Sequence, residues 1–271
     1  MVTSTDEICR EFPQIAADLQ HFIKHATLYR NLVGGDTGNI DLKAAHSLCV
    51  LKISAQIIGN LRPPEDLADA ILLAALYHDF GRFAQYLKYK TFLDRNSVNH
   101  GTLGAQEMVR HKLPLEAPSG LRSIILGGVA VHNRLSLPEN LPDKLNLLAR
   151  VVRDADKIDI MRIMDEHFNR PENSDPVVTL HLQDRPDTFT ASILNTVLQG
   201  QTPSYDDLRL VNDFKILLAS WLHTLNFPIS REILLRSGRL ESIIATLSQS
   251  ARLPLLAFIR TQKCSPKFGQ M

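Results

Sequence analysis

A chain of 271 residues is too long for a small stapled module and suits one large domain, or one with an appended lobe, around a sizeable core. Lys plus Arg number 30 against 29 for Asp plus Glu, a net charge of +1. No global field therefore draws the chain to long nucleic acid or anionic lipid, and any phosphate chemistry must be local. Hydrophobic residues at 44% and charged residues at 22% argue against a disordered chain or a polytopic membrane protein.

In chain order, Met1 to Arg10 holds Asp6 and Glu7 and no apolar signal-like run, and no later stretch approaches bilayer-spanning length. A cytoplasmic protein without a membrane partner is the expectation. Cys9, Cys49 and Cys264 are odd in number and lack CxxC spacing. Neither a disulfide framework nor a thiolate zinc site is expected, so a metal would rest on His and carboxylate ligands.

Periodicity is helical nearly throughout, and the fold is read as all-α. Leu42, His46, Cys49, Val50, Ile53 and Ile57 share one face of a helix over 42–58, with Asp41 as its N-cap. A second helix opens after Pro63-Pro64, runs through the apolar Leu67 to Tyr77 and stops at Gly81; being apolar all round, it should be central. The aromatic and basic stretch Tyr86 to Asn99 reads as a loop. Helices follow over 100–111, 121–132 and 143–168. Beyond Pro171 the chain loosens until helices resume over 205–225, 230–235 and 240–251. The one extended candidate, Pro176 to Leu182, has no clear pairing partner.

Ionisable residues interrupt these apolar faces, where each costs several kcal/mol unless paired or bound to a metal. His46 lies at the centre of its stripe; His78 and Asp79 close the central helix. Asp156 falls amid Leu145, Ala149, Val152, Ile160 and Ile163, whereas Asp154 points nearly opposite and Asp159 lies at the stripe's edge. His100 and His132 stand at helix ends, each with a glycine one turn away, Gly104 and Gly128, that would let a neighbour approach closely. Any one of these histidines alone reads as a hydrogen-bonded core residue. Together, His46, His78, Asp79, His100, His132 and Asp156 supply N and O ligands without sulfur, in a number that fits two ions of Fe or Mn, or alternatively Co, Ni or Zn.

The ordered series His46, His78-Asp79, His100, His132, Asp156 resembles the HD-domain superfamily, in which H...HD...D is joined by two further histidines in the two-metal branch. His78-Asp79-Phe80-Gly81-Arg82 is similar to the HDxGR turn, and Asp156-Lys157-Ile158-Asp159 to the segment that closes the motif. Thr91-Phe92-Leu93-Asp94 and Ser97-Val98-Asn99-His100 resemble an uncharacterised bacterial HD-hydrolase subgroup. The resemblance covers about 41–168. It implies an HD-domain helical core in which His46, His78, Asp79 and Asp156 hold one metal, His100 and His132 the second, and Asp79 bridges. No GYP follows His132, and His132-Asn133 replaces the His-His pair of the HD-GYP phosphodiesterases, which weighs against a cyclic dinucleotide substrate. The implied organisation is an N-terminal helical segment (1–40), the metal-binding core (41–170) and a C-terminal helical extension packed on it (171–271).

The expected activity is phosphohydrolysis of a nucleotide or other small phosphoester by a metal-activated water. Asp79, Arg82 and Lys157 are the catalytic candidates. Arg82, Lys88, Arg95, Arg134 and Lys157 are the phosphate-binding ones. The stretch Tyr86 to Arg95 would serve as a lid, with the plain alternative of a basic surface loop. Asn133 and Arg134 could face the substrate. A di-iron oxygenase on the same ligands, a non-catalytic nucleotide sensor and a helical scaffold with structural histidines are the competing readings. A homo-oligomer stays open. His21, His25, His111, His167, His181 and His223 have no place in the ordered pattern.

Overall fold

The computed structural model describes residues 5–170 and 175–263; Cys264 and the expected break at Pro171 lie outside them. The chain divides into two compact units, 1–156 and 157–271. The described residues form helices joined by turns, and the β-structure among them is a single isolated bridge between Gln183 and Leu210. None of their helices is long and apolar enough to cross a membrane.

The first unit contains α1 (Thr5–Glu11), α2 (Ala16–Val33), α3 (Gly38–Leu61), α4 (Glu65–Tyr77), α5 (Phe80–Tyr89), α6 (His100–Arg110), α7 (Arg122–Val131) and the first half of α8 (Asp143–Asn169). Helix α4 is central, as its composition predicts. Pro64 precedes it, Glu65 and Asp66 occupy its first turn, and Ala70 through Tyr77 are all buried. At roughly 1.5–3 kcal/mol for each fully buried aliphatic side chain, Ile71, Leu73 and Leu76 fix the helix from which the His-Asp pair projects. Helix α3 starts at Gly38, a turn earlier than predicted, so Asp41 lies inside its first turn and Thr37 takes the cap position.

The larger correction concerns α5. The chain turns at His78 and Asp79, and a new helix begins at Phe80, where a loop was expected from Tyr86. Gly81 makes this corner fit. A Cβ there would come within 2.6 Å of the Gly104 nitrogen and closer still to the His100 carbonyl, so α5 and α6 touch backbone to backbone. Tyr86 and Phe92 are buried, and the Tyr86 hydroxyl donates to Asp36 while accepting from Asn39 Nδ2 at 3.0 Å. These two aromatics belong to the core and are not free to stack on a base, as the lid reading of this stretch would ask of them.

The second unit continues α8 and adds α9 (Ala191–Leu198), α10 (Val211–Thr224), α11 (Pro228–Ser237), α12 (Arg239–Ala245) and α13 (Gln249–Lys263). Nearly all of α10 is buried, Trp221 included, and α9, α12 and α13 pack against it. Its first turn contains a buried carboxylate, Asp213, which accepts from the backbone nitrogens of Thr190 (2.6 Å), Arg209 (3.1 Å) and Leu210 (3.1 Å) and from Thr190 Oγ1 (2.9 Å). The predicted helix over 240–251 is two helices, broken after Ala245, and α13 runs on through Pro254. Helix α9 was not expected. Pro176 to Leu182 forms successive turns in place of an extended run.

Candidate metal centre

Five elements of the first unit deliver six side chains to one buried cluster. His46 comes from the middle of α3, where the apolar face carries it inward with no exposed surface. His78 and Asp79 occupy the corner between α4 and α5. His100 is the first residue of α6, set there by Asn99, whose side-chain oxygen accepts from Thr102 N at 2.9 Å as an N-cap. His132 is the C-cap of α7. Asp156 lies on α8 with a side chain 20% exposed, the most open member of the six.

The Asp79 carboxylate stands between two sets of imidazoles. Oδ2 lies 3.7 Å from both His46 Nε2 and His78 Nε2, while Oδ1 lies 3.4 Å from His100 Nε2 and 3.7 Å from His132 Nε2. Within the first set, His46 Nε2 is 3.2 Å from His78 Nε2 and 3.0 Å from Asp156 Oδ1. Within the second, His100 Nε2 and His132 Nε2 are 3.1 Å apart. The six expected ligands thus come together, with Asp79 shared by the two halves.

Proton placement tests whether these residues fit a cation. His132 Nδ1 donates to the Val129 carbonyl at 2.7 Å, His78 Nδ1 to the Ala75 carbonyl at 2.8 Å, and His100 Nδ1 to Asp94 at 2.7 Å. In a neutral imidazole the other nitrogen then carries a lone pair. Two such lone pairs facing each other across the 3.1 Å between His100 Nε2 and His132 Nε2 would conflict. A cation relieves that conflict. At 3.2 and 3.1 Å the nitrogens of the two pairs are close enough for each pair to share one ion. The donor set fits a divalent metal on each side of Asp79.

Electrostatics keep these groups in the ligating form. Burial pushes His78 down to about 4 and His100 down to about 3, so both are neutral at pH 7. Burial alone would raise the Asp79 carboxyl, but Lys43, His78 and Arg82 together hold it well below the ordinary carboxylate range. At Asp156 burial again opposes ionisation, and the contacts with His46 and His78 outweigh it.

Two of these influences escaped the sequence reading. Lys43 Nζ donates to Asp79 Oδ2 at 2.8 Å from a nearly buried position; it precedes His46 by three residues, so it shares that face of α3. Asp94, which supports His100, also accepts from Asn133 Nδ2 at 3.0 Å, Gln85 Nε2 at 2.9 Å and Arg82 Nη1 at 3.1 Å. Such outer partners orient a ligating imidazole and raise its basicity.

The predicted cations divide. Arg82 is at the centre: Nε lies 3.4 Å from Asp79 Oδ1, and Nη1 donates to the Phe92 carbonyl at 2.6 Å and to Gln85 Oε1 at 2.8 Å. Lys88, Arg95 and Arg134 are exposed and are not brought into the buried cluster. Lys88 extends over the Tyr89 ring. Lys157, in the second unit, donates to Thr224 Oγ1 at 2.8 Å. Asn133 holds Asp94. Among the other acids of α8, Asp159 is buried against the fork of Arg162 at 2.7 and 3.0 Å, and Asp154, expected to point away, is fully buried.

Comparison with known proteins converges on the same segment. The family model described as the HD domain matches residues 44–161, a stretch that contains all six cluster residues. No curated protein and no solved structure matches the chain. Proteins of the HD family are generally metal-dependent phosphohydrolases. With the matched segment and its buried His and Asp cluster coinciding, residues 44–161 of this chain are an HD domain.

Proposed function

We propose that the chain hydrolyses a small phosphoester, a nucleotide or a related phosphomonoester, at a two-metal centre held by His46, His78, Asp79, His100, His132 and Asp156. The observation that carries this reading is the Asp79 carboxylate, with one oxygen facing each histidine pair. Divalent ions bound there supply Lewis acidity and a water acidic enough to ionise near neutral pH. The chain's own contribution is positioning and charge. Asp79 is held in place by Lys43 on Oδ2 and Arg82 on Oδ1, and Asp94 fixes the tautomer of His100. Lys43 and Arg82 each keep a side chain only 13% exposed beside the carboxylates, where their charge is little screened and offsets that of a bound phosphate. No serine, threonine or cysteine stands in the cluster, and its histidines and aspartates are the residues that would hold the metals, consistent with direct attack by water.

The experiment is phosphate release from a panel of nucleotides and phosphomonoesters by protein loaded with Mn²⁺, Fe²⁺ or Co²⁺, beside elemental analysis of bound metal. Metal-dependent turnover, lost in Asp79→Ala together with the metal, is expected. Full metal loading without release from any panel member, or substrate-dependent oxygen uptake by the reduced iron form in place of hydrolysis, overturns the reading.

A further inference from the structure

Away from the HD cluster, the first unit brings together three histidines that the ordered HD pattern does not use. His21 and His25 are four residues apart on α2, so both rings leave the same face of the helix. His111 caps the C-terminus of α6. Ligand-capable nitrogens of the three all lie within 4.8 Å of one another. The rings meet directly: His25 and His111 have centroids 5.2 Å apart, His21 and His111 6.2 Å.

A purely aromatic role explains part of this. His25 stacks on Phe80 at 4.1 Å and packs near Tyr29 and Phe83. It does not explain His21, whose Nε2 is buried with no hydrogen-bond partner. Nor does it explain why three imidazoles share one site, since His111 disfavours protonation of both His21 and His25. Burial, reinforced by His111 and His21, takes His25 down to about 3, and burial also lowers His21. Each ring offers a nitrogen within reach of one point.

From this geometry we propose that His21, His25 and His111 form a second, separate metal site, taking one divalent transition ion of the imidazole-favouring class such as Zn²⁺, Ni²⁺ or Co²⁺. Two histidines at i and i+4 with a third from another element is a usual way for a protein to offer three nitrogens and leave a fourth position open. Small side-chain rotations bring nitrogens within 4.8 Å to the ~3.4 Å separation of a tetrahedral pair. Local charge is balanced. Arg110 donates to His111 Nε2 at 3.3 Å and is itself paired with Glu107, whose Oε2 lies 3.7 Å from the same nitrogen. Arg110 is 63% exposed and can swing into water, leaving Glu107 as the near anion. A bound ion ties α2 to the end of α6. It also presses on Phe80, the residue after Asp79, which His25 and His111 both contact. The site is therefore a structural clamp behind the HD corner.

Equilibrium dialysis against Zn²⁺ tests this on the full chain. His21→Gln and His111→Gln alter half-buried positions and should bind one equivalent fewer than wild type while melting cooperatively. The double variant Asp79→Ala/His100→Ala dismantles both halves of the HD centre and should keep that equivalent. X-ray absorption of the zinc left on it should show an imidazole-rich shell. Undiminished zinc in both glutamine variants, or an oxygen-only shell on the double variant, overturns the site. If instead wild type and the double variant bind equally while the glutamine variants lose zinc, the HD metal assignment fails and the three-histidine site stands.

Discussion

Asp79 in the first unit and Asp213 in the second are both carboxylates with almost no exposed surface, and the two units satisfy them in opposite ways. Asp213 is surrounded by N–H and O–H donors from Thr190, Arg209 and Leu210. These donors have no other use; the arrangement closes on itself and anchors the start of α10. Asp79 is surrounded by Lys43, Arg82 and four imidazoles whose Nε2 atoms gather around it. Those nitrogens turn toward one another, and His100 and His132 meet Nε2 to Nε2 at 3.1 Å. A buried acid that completes its hydrogen bonds with backbone is architecture. One that gathers four imidazoles around it is a place for a cation.

The comparison breaks most sharply under alanine substitution. Asp79→Ala is expected to lower metal-dependent phosphate release by about 10³-fold and to reduce bound metal in elemental analysis, with little change in the melting of the metal-free protein. Asp213→Ala should do the reverse. It strands three N–H groups, one buried and two part-buried, costing about 3 kcal/mol in urea unfolding, and leaves metal per folded chain unchanged. If Asp213→Ala lost metal, or Asp79→Ala unfolded the metal-free chain, the distinction between the two acids would not hold.

Much of this was readable in the sequence, for reasons that can be located. His46 and Asp156 stood out because they sit on apolar stripes, and His78, Asp79, His100 and His132 because they complete an ordered series. Helix α4 was evident from its continuous apolar run. Lys43 was missed because a lysine at the edge of a stripe reads as a snorkelling surface cation, and only the corner at Asp79 shows where its ammonium goes. Asp94 gives no periodic signal at all, since it meets His100 across an irregular turn six residues long. Helix α5 is ten residues long and mixes aromatics with cations around a glycine, a local pattern indistinguishable from a loop until Gly81 is seen against Gly104. Asp154 was misplaced because angular position shows which residues share a face and not how many faces are covered.

Asp94 offers a finer probe of the same contrast, because it touches the cluster only through His100 and Arg82. Asp94→Ala should weaken metal binding about 10–100-fold, read by chelator competition, while Asp94→Asn, which keeps an acceptor for His100 Nδ1, should lose less. Equal losses in the two variants would mean that the charge of Asp94, rather than its hold on the imidazole, is what matters.

The last effect expected is one of pH, and it extends the contrast from acids to a buried base. In the folded chain burial and the neighbouring His111 and His21 hold His25 down to about 3, against about 6.5 when it is exposed. Between those values the unfolded chain binds the proton and the folded chain does not, so the stability His25 contributes is complete above pH 6.5 and is lost as pH falls toward 3. Urea unfolding of the metal-free protein, followed from pH 7 to 4, should show that decline, and His25→Phe, which keeps the stack on Phe80 without a titrating nitrogen, should flatten it. An identical slope in the variant would place the acid sensitivity on the other histidines, of which His21, His78 and His100 are depressed in the same direction.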